Sequence, residues 1–255
     1  MKDIIIKADD LYFSYDDEKS YSLNGMSLEI ERGKKVAFMG ANGAGKSTFF
    51  LCLNGIHRPT AGTLYVDGEA VDYSKKGLLN LRSKVGIVFQ DPDNQLFSAS
   101  VFQEISFEQV IDTLEITPFM DKPTHSLSGG QKKQVSIADV LVMNPEVIIL
   151  DEPASSLDPK HTVIVNKIVD MLVDQGITVL MSTHNVDYAL EWAEEIILIH
   201  DGKTLMQGSP VEVLSNGQVL EKTNLKKPAA IELFESLVSK GVLSADLPVP
   251  KSLKE

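Results

Sequence analysis

Residues Gly40-Ala-Asn-Gly-Ala-Gly-Lys-Ser-Thr48 leave this chain few folds to choose from. They match Gly-x4-Gly-Lys-[Ser/Thr], in which glycines let consecutive backbone N–H groups turn inward around a phosphate chain that Cβ atoms would obstruct. Lys46 can reach the terminal phosphates, and the Ser47 hydroxyl can ligate Mg2+. A helix opening at this loop turns its positive end toward the same anion. The flanks agree with that reading. Val36-Ala-Phe-Met39 is a short apolar run of the kind buried on both faces of a sheet, and the residues after the loop continue as an apolar helix through Leu53. Gly40, Ala41, Asn42, Gly43, Ala44, Gly45, Lys46, Ser47 and Thr48 are therefore the candidate contacts to a nucleotide.

A second element is Val147-Ile-Ile-Leu-Asp-Glu152. An apolar strand ending in acids delivers carboxylates to the carboxyl edge of a parallel sheet, where open α/β folds bind ligands. Asp151 is placed to hold Mg2+ and Glu152 to polarise an attacking water as general base. A third is Leu127-Ser-Gly-Gly-Gln131, where a serine and two glycines at a helix start offer a second anion site. One triphosphate has little use for two such sites unless one of them serves a nucleotide held by another chain.

The remaining pattern is that of an α/β protein. Strand-like runs lie at Ile4–Ala8, Leu11–Tyr15, Leu23–Ile30, Val36–Met39, Val85–Phe89, Val147–Leu150 and Ile177–Met181, and the last several alternate with helical stretches. Asp67-Gly68 and Asp201-Gly202 each separate two apolar runs, as hairpin turns do. The expected architecture is a P-loop NTPase core with a parallel sheet, an antiparallel layer made of the amino-terminal and hairpin strands, and a helical subdomain inserted at about 91–145. Residues 1–215 form the main domain in this reading. Residues 216–255 form a small helical extension, broken by Asn216-Gly217 and Pro228 and ending in an extended or mobile Leu247-Pro-Val-Pro-Lys251.

Composition narrows the function classes. The formal charge of −12 argues against broad binding to nucleic-acid phosphates, so no nucleic-acid partner is expected. A single cysteine, Cys52, excludes an internal disulfide framework and a multi-cysteine zinc site. No apolar run approaches the 18 or so residues of a membrane span, and the first ten residues lack the apolar centre of a signal peptide.

With these motifs in their order, residues 4 to about 215 resemble the ATP-binding subunit of ATP-binding-cassette transporters. The resemblance implies two cassettes closing head to tail on two ATP molecules, so that Ser128, Gly129, Gly130 and Gln131 serve the ATP of the partner chain. By position, Tyr15 is similar to the aromatic residue that stacks on adenine, and Gln90 to the glutamine that links Mg2+ and water to the helical subdomain. Asp158 resembles the residue of the loop that communicates across the dimer, and His184 the histidine that contacts the γ-phosphate and the attacking water. Val88-Phe-Gln-Asp-Pro-Asp-Asn-Gln-Leu-Phe97 and Asn224-Leu-Lys-Lys-Pro228 resemble the cobalt-import ATPases of the energy-coupling-factor importers. Those work with a second ABC ATPase chain, an integral membrane scaffold protein and a substrate-capture protein. The location implied is the cytoplasmic face of the membrane, as a peripheral subunit.

Three departures accompany the resemblance. Gln134 stands where the family has arginine, Ala154 replaces a common threonine, and only 36 residues, 91–126, separate Gln90 from Leu127, fewer than in relatives. The expected function is ATP hydrolysis that powers import of a small solute, cobalt or nickel ion. The alternatives are a soluble cassette ATPase, for example in cofactor assembly, and import of a vitamin. Leu96 and Phe97 are the apolar residues expected to seat a helix of the scaffold.

Overall fold

The computed structural model describes the chain apart from residues 1, 17–19, 99, 105–113, 154–158 and 254–255. Its strands are β1 (Ile4–Phe13), β2 (Leu23–Glu31), β3 (Lys35–Met39), β4 (Ala61–Val66), β5 (Glu69–Ala70), β6 (Val85–Val88), β7 (Val147–Leu150), β8 (Thr178–Ser182), β9 (Glu195–His200) and β10 (Lys203–Gly208). One sheet runs β2-β1-β4-β5, with every pairing antiparallel. The other runs β10-β9-β3-β8-β7-β6 and is parallel except for β10.

The parallel strands are apolar on both sides because both sides are covered. Val36 and Phe38 of β3, and Val147 and Ile149 of β7, turn toward the antiparallel sheet and the helix Lys46–Leu53, where they join Ile5, Leu11 and Phe50. Ala37 and Met39, with Ile148 and Leu150, face the opposite layer of helices, among them Val169 and Leu190. Successive residues of one strand thus serve two separate cores.

The strand register places the chemistry. Phe38 is level with Ser182, Leu150 with Met181, and Val88 with Leu150. The residues that follow these strands, Gly40, Gln90, Asp151 and His184, therefore emerge together at one carboxyl edge. The region between β6 and β7 contributes the helices Val101–Glu104 and Gly129–Leu141 and three short 3-10 turns. A Cβ on Gly86 of β6 would lie 2.0 Å from Val140 Cγ1, so the helix Gly129–Leu141 rests directly on that strand.

Two expectations are revised. Ile4–Ala8 and Leu11–Tyr15 are one strand, β1, which passes through Asp10 at φ 53 with shifts in its register rather than breaking. Asp67-Gly68 and Asp201-Gly202 do form hairpin turns, with both central residues at positive φ. The second hairpin, however, belongs to the parallel sheet and not to the antiparallel layer. Its first strand, β9, buries Ile196 to Ile199 completely and so pairs with β3 in the interior. At the chain end, Val249 packs against the core.

Candidate active site

The loop Gly40–Gly45 owes its shape to its glycines. Gly40 has φ 143 and Gly45 φ 111, and Cβ atoms there would lie 2.2 Å from the Ile199 carbonyl and 2.6 Å from the Ser22 carbonyl. Gly40→Ala must shift backbone as well as adopt a strained φ, at a cost of about 1–3 kcal/mol. A thermal melt should show a lower midpoint, together with weaker nucleotide binding. Past the loop, the helix Lys46–Leu53 has no side chain capping its start. The N–H groups of Gly45, Lys46 and Ser47 donate to no acceptor among the described residues. These donors face the open side of the loop beside the exposed Ser47, an arrangement suited to phosphate oxygens.

Lys46 is buried, and its Nζ donates to the carbonyls of Gly40 (2.8 Å) and Ala41 (3.1 Å). Burial lowers its pKa, and Glu152 and Asp151 oppose that shift. The ammonium therefore lies between the loop and the two acids. Tyr15, 59% exposed, reaches Thr48 Oγ1 through its hydroxyl (3.3 Å) and packs edge-on against Phe13 and His57. Much of its ring is thus exposed to solvent beside Thr48 at the end of the loop.

The acids sit on a strained turn. Glu152 has φ 44, uncommon for a residue with a Cβ. The Ser182 hydroxyl fixes that turn by accepting from the Glu152 N–H (2.7 Å) and donating to Asp151 Oδ1 (2.5 Å). From there Glu152 Oε1 lies 3.6 Å from His184 Nδ1, and Glu152 Oε2 lies 3.5 Å from Gln90 Nε2, the outer limit of a hydrogen bond. Gln90, Glu152 and His184 thus converge, although they come from the ends of three different strands. A hydroxyl, a carboxylate and an amide oxygen, from Ser47, Asp151 and Gln90, form a donor set that suits a hard divalent cation.

Ser128 caps the helix Gly129–Leu141. Its Oγ accepts from the Gln131 N–H (3.3 Å), and the Gln131 side chain accepts from the Ser128 N–H (3.1 Å). Among the described residues, no hydrogen bond joins Ser128, Gly129, Gly130 or Gln131 to Gly40–Thr48. Gln134 is buried and donates to the Leu114 carbonyl (3.2 Å). Asp158 and Ala154 lie outside the described residues.

Three further features of the site are given no role by the sequence motifs. One is Ser182, whose hydroxyl bridges the Glu152 N–H and Asp151. Another is Lys133, 3% exposed, whose Nζ donates to the Phe89 and Gln90 carbonyls. Burial lowers the Lys133 pKa to about 8 even though Asp151 and Asp91 favour the charged form. The last is the turn Thr223–Lys226, which closes a cavity of about 580 Å3 together with Gly40–Asn42, Glu152 and His184. Asp187 anchors that turn by accepting from the Ala229 N–H (2.7 Å).

A phosphate loop at the carboxyl edge of a parallel sheet, with paired acids across from it, defines a P-loop nucleotide hydrolase. The ABC transporter family model matches residues 23–155. The energy-coupling factor transporter ATP-binding protein EcfA3 of Clostridium perfringens is 41% identical over 94% of this chain and 90% of its own length. EcfA of Methanococcus maripaludis is 42% identical over 91% of this chain and 89% of its own. Among solved structures, CbiO1 of Clostridium perfringens, described as part of the ABC transporter complex CbiONQ, superposes with a TM-score of 0.78 at 41% identity. That match covers 92% of this chain and all of the other. The dimeric ATP-binding cassette MJ0796, bound to ADP and Pi in a post-hydrolysis state, gives 0.73 at 26% identity, over 81% of this chain and 99% of the other. The chain belongs to the ABC transporter ATPases, in the energy-coupling-factor group of ATP-binding subunits. It binds ATP, and its hydrolysis of ATP is coupled to transport.

Proposed function

We propose that this chain powers a membrane importer of the energy-coupling-factor class whose cargo is a cobalt or nickel ion. The observation that carries the reading is the convergence of Gln90, Glu152 and His184 at the edge that also bears Gly40–Thr48. Residues 1–215 act as the cassette, with a helical subdomain at about 91–145, and 216–255 as an extension. Gly40–Thr48 cradle the triphosphate and Tyr15 stacks on adenine. Glu152 takes the proton of the attacking water, while His184 and Gln90 hold that water in line. Ser47, Asp151 and Gln90 would hold Mg2+, which would supply neutralisation of the charge on the triphosphate. Ser128 to Gln131, which make no hydrogen bond to their own loop, meet the ATP of a second cassette, identical or related. The MJ0796 cassette, itself dimeric, supports the pairing of two cassettes.

Among the described residues, no helix is long and apolar enough to cross a membrane. Residence at the cytoplasmic face then comes from docking on an integral scaffold protein, which in turn carries a capture protein. The segment after Gln90 divides that task. Leu96 is partly buried and packs against the core, and Gln95 donates to the Ser136 carbonyl (2.8 Å), so the loop is held at both residues. Phe97 is 83% exposed, and Phe102 is also exposed. Phe97, not Leu96, is the side chain free to enter a partner's groove, and its burial is worth about 1.5–3 kcal/mol.

Two measurements test the reading. Wild-type protein should sediment with membranes only when the scaffold is co-expressed, and Phe97→Asp should release it without lowering its affinity for ATP. Sedimentation without a scaffold, or retention of Phe97→Asp on the membrane, overturns the docking assignment and favours a soluble cassette ATPase. For the cargo, the reconstituted complex should accumulate cobalt or nickel when given ATP. Accumulation of a vitamin instead overturns that part.

A further inference from the structure

The helix that begins at the Ser128–Gln131 motif is bound to the Gln90 segment by contacts that no motif accounts for. Lys132 pairs with Asp93 (2.5 Å) on the outside. Gln95 donates to the Ser136 carbonyl and to Asp139. Between them lies Lys133, whose Nζ donates to the Phe89 carbonyl (2.7 Å) and the Gln90 carbonyl (3.0 Å). A buried ammonium is costly unless it is well solvated by fixed dipoles, and no carboxylate forms an ion pair with Lys133 among the described residues. For fastening a helix to a strand end, an apolar side chain would serve at lower cost. An ammonium that grips two successive carbonyls does something different: it fixes the orientation of the peptide that carries the Gln90 side chain.

We propose that Lys133 is a positioning residue for ATP hydrolysis. By clamping the Phe89 and Gln90 carbonyls from the helix Gly129–Leu141, it sets the approach of Gln90 to Glu152. The proposal rests on the roles given above to Gln90, Glu152 and the Ser128–Gln131 motif. It adds a physical link between the two ATP sites of a dimer. The helix whose start meets the partner chain's ATP also holds, one turn further on, the backbone of a residue in its own chain's hydrolytic site. Closure onto the partner's nucleotide is thereby felt at Gln90 through one side chain. Gln134 beside it is also buried but uncharged, so Lys133 is the buried cation of this helix.

Steady-state hydrolysis by Lys133→Met tests the link, and Lys133→Gln serves in its place should the methionine variant fail to fold. A misplaced Gln90 should lower kcat about 10- to 100-fold while KM and the ATP affinity of the monomer stay within about twofold. Lys133→Arg, able to reach the same carbonyls, should recover most of the rate. The decisive readout is a double-mutant cycle: in a Gln90→Ala background, loss of Lys133 should cost less than about twofold more, because it acts through Gln90. An unchanged kcat, or the same fold-loss with and without Gln90, overturns the proposal. Failure of the underlying site assignment would register separately, as normal hydrolysis by Glu152→Gln.

Discussion

Glu152→Gln retains ATP binding and loses hydrolysis by about 10²–10⁴-fold, which corresponds to roughly 3–5 kcal/mol of barrier. The substitution isolates proton acceptance. Glutamine keeps the size of the side chain, and the main-chain turn stays fixed because the Glu152 N–H bonds to the Ser182 hydroxyl at 2.7 Å whatever the side chain is. The contact to Gln90 survives in some form, since an amide oxygen accepts as a carboxylate oxygen does. What disappears is a base, along with one negative charge near the triphosphate, so nucleotide affinity should hold or rise slightly. A dimer that closes on ATP and reopens on hydrolysis then accumulates in the closed form. Size-exclusion chromatography with Mg-ATP should show the dimer for the variant and mostly monomer for the wild type. Wild-type turnover in the variant would remove Glu152 as the base, and a search for the water's proton acceptor would turn to His184.

The parts of this molecule that the sequence exposes are those whose cause is local. A glycine-rich loop between an apolar strand and a helix specifies its own geometry, and Gly40 and Gly45 occupy backbone conformations that other residues resist. Asp201-Gly202 announces a turn for the same reason. Which sheet receives that hairpin is a different matter. The burial of Ile196 to Ile199 on both faces decides it, and that follows only once β3 has an open edge on that side. Ser182 and Lys133 were hidden in the same way. Each bonds to residues 30 to 44 positions distant: Ser182 because register brings the ends of β7 and β8 level, Lys133 because the helix Gly129–Leu141 packs on β6. The pair Leu96-Phe97 shows how coarse an apolar signal is. Two adjacent hydrophobic residues look alike in the sequence, yet one packs against the core and the other stands in solvent. Asn224-Leu-Lys-Lys-Pro228 is visible as a segment, but nothing in its residues says that it closes a cavity with the phosphate loop.

Ser128→Arg nearly abolishes hydrolysis while leaving the ATP affinity of the monomer within about twofold, and the contrast between those two numbers is the content of the prediction. Ser128 has a structural task of its own as the cap of the helix Gly129–Leu141, with Gln131 completing a reciprocal pair. Arginine cannot accept the Gln131 N–H, so about 1 kcal/mol of helix stability is lost. For a protein of this size that lowers the melting midpoint by roughly 2–4 °C, which leaves the fold intact at assay temperature. The effect on activity has a separate origin. Ser128 to Gln131 share no hydrogen bond with their own phosphate loop, so a bulky side chain there cannot disturb nucleotide held by Lys46 in the same chain. In a head-to-tail dimer the same side chain occupies the space where the partner's γ-phosphate must fit, and closure fails. Equilibrium binding of a fluorescent ATP analogue to the dilute monomer should therefore be almost unchanged, while turnover at high protein concentration falls to background. Mixing the variant with a Lys46→Ala chain sharpens the test. A hybrid pairs the variant's intact phosphate loop with a normal Ser128 from the other chain, so one competent site forms and hydrolysis partly returns. Loss of monomer affinity on Ser128→Arg, or no recovery in the mixture, would place the motif beside its own nucleotide and dissolve the composite site.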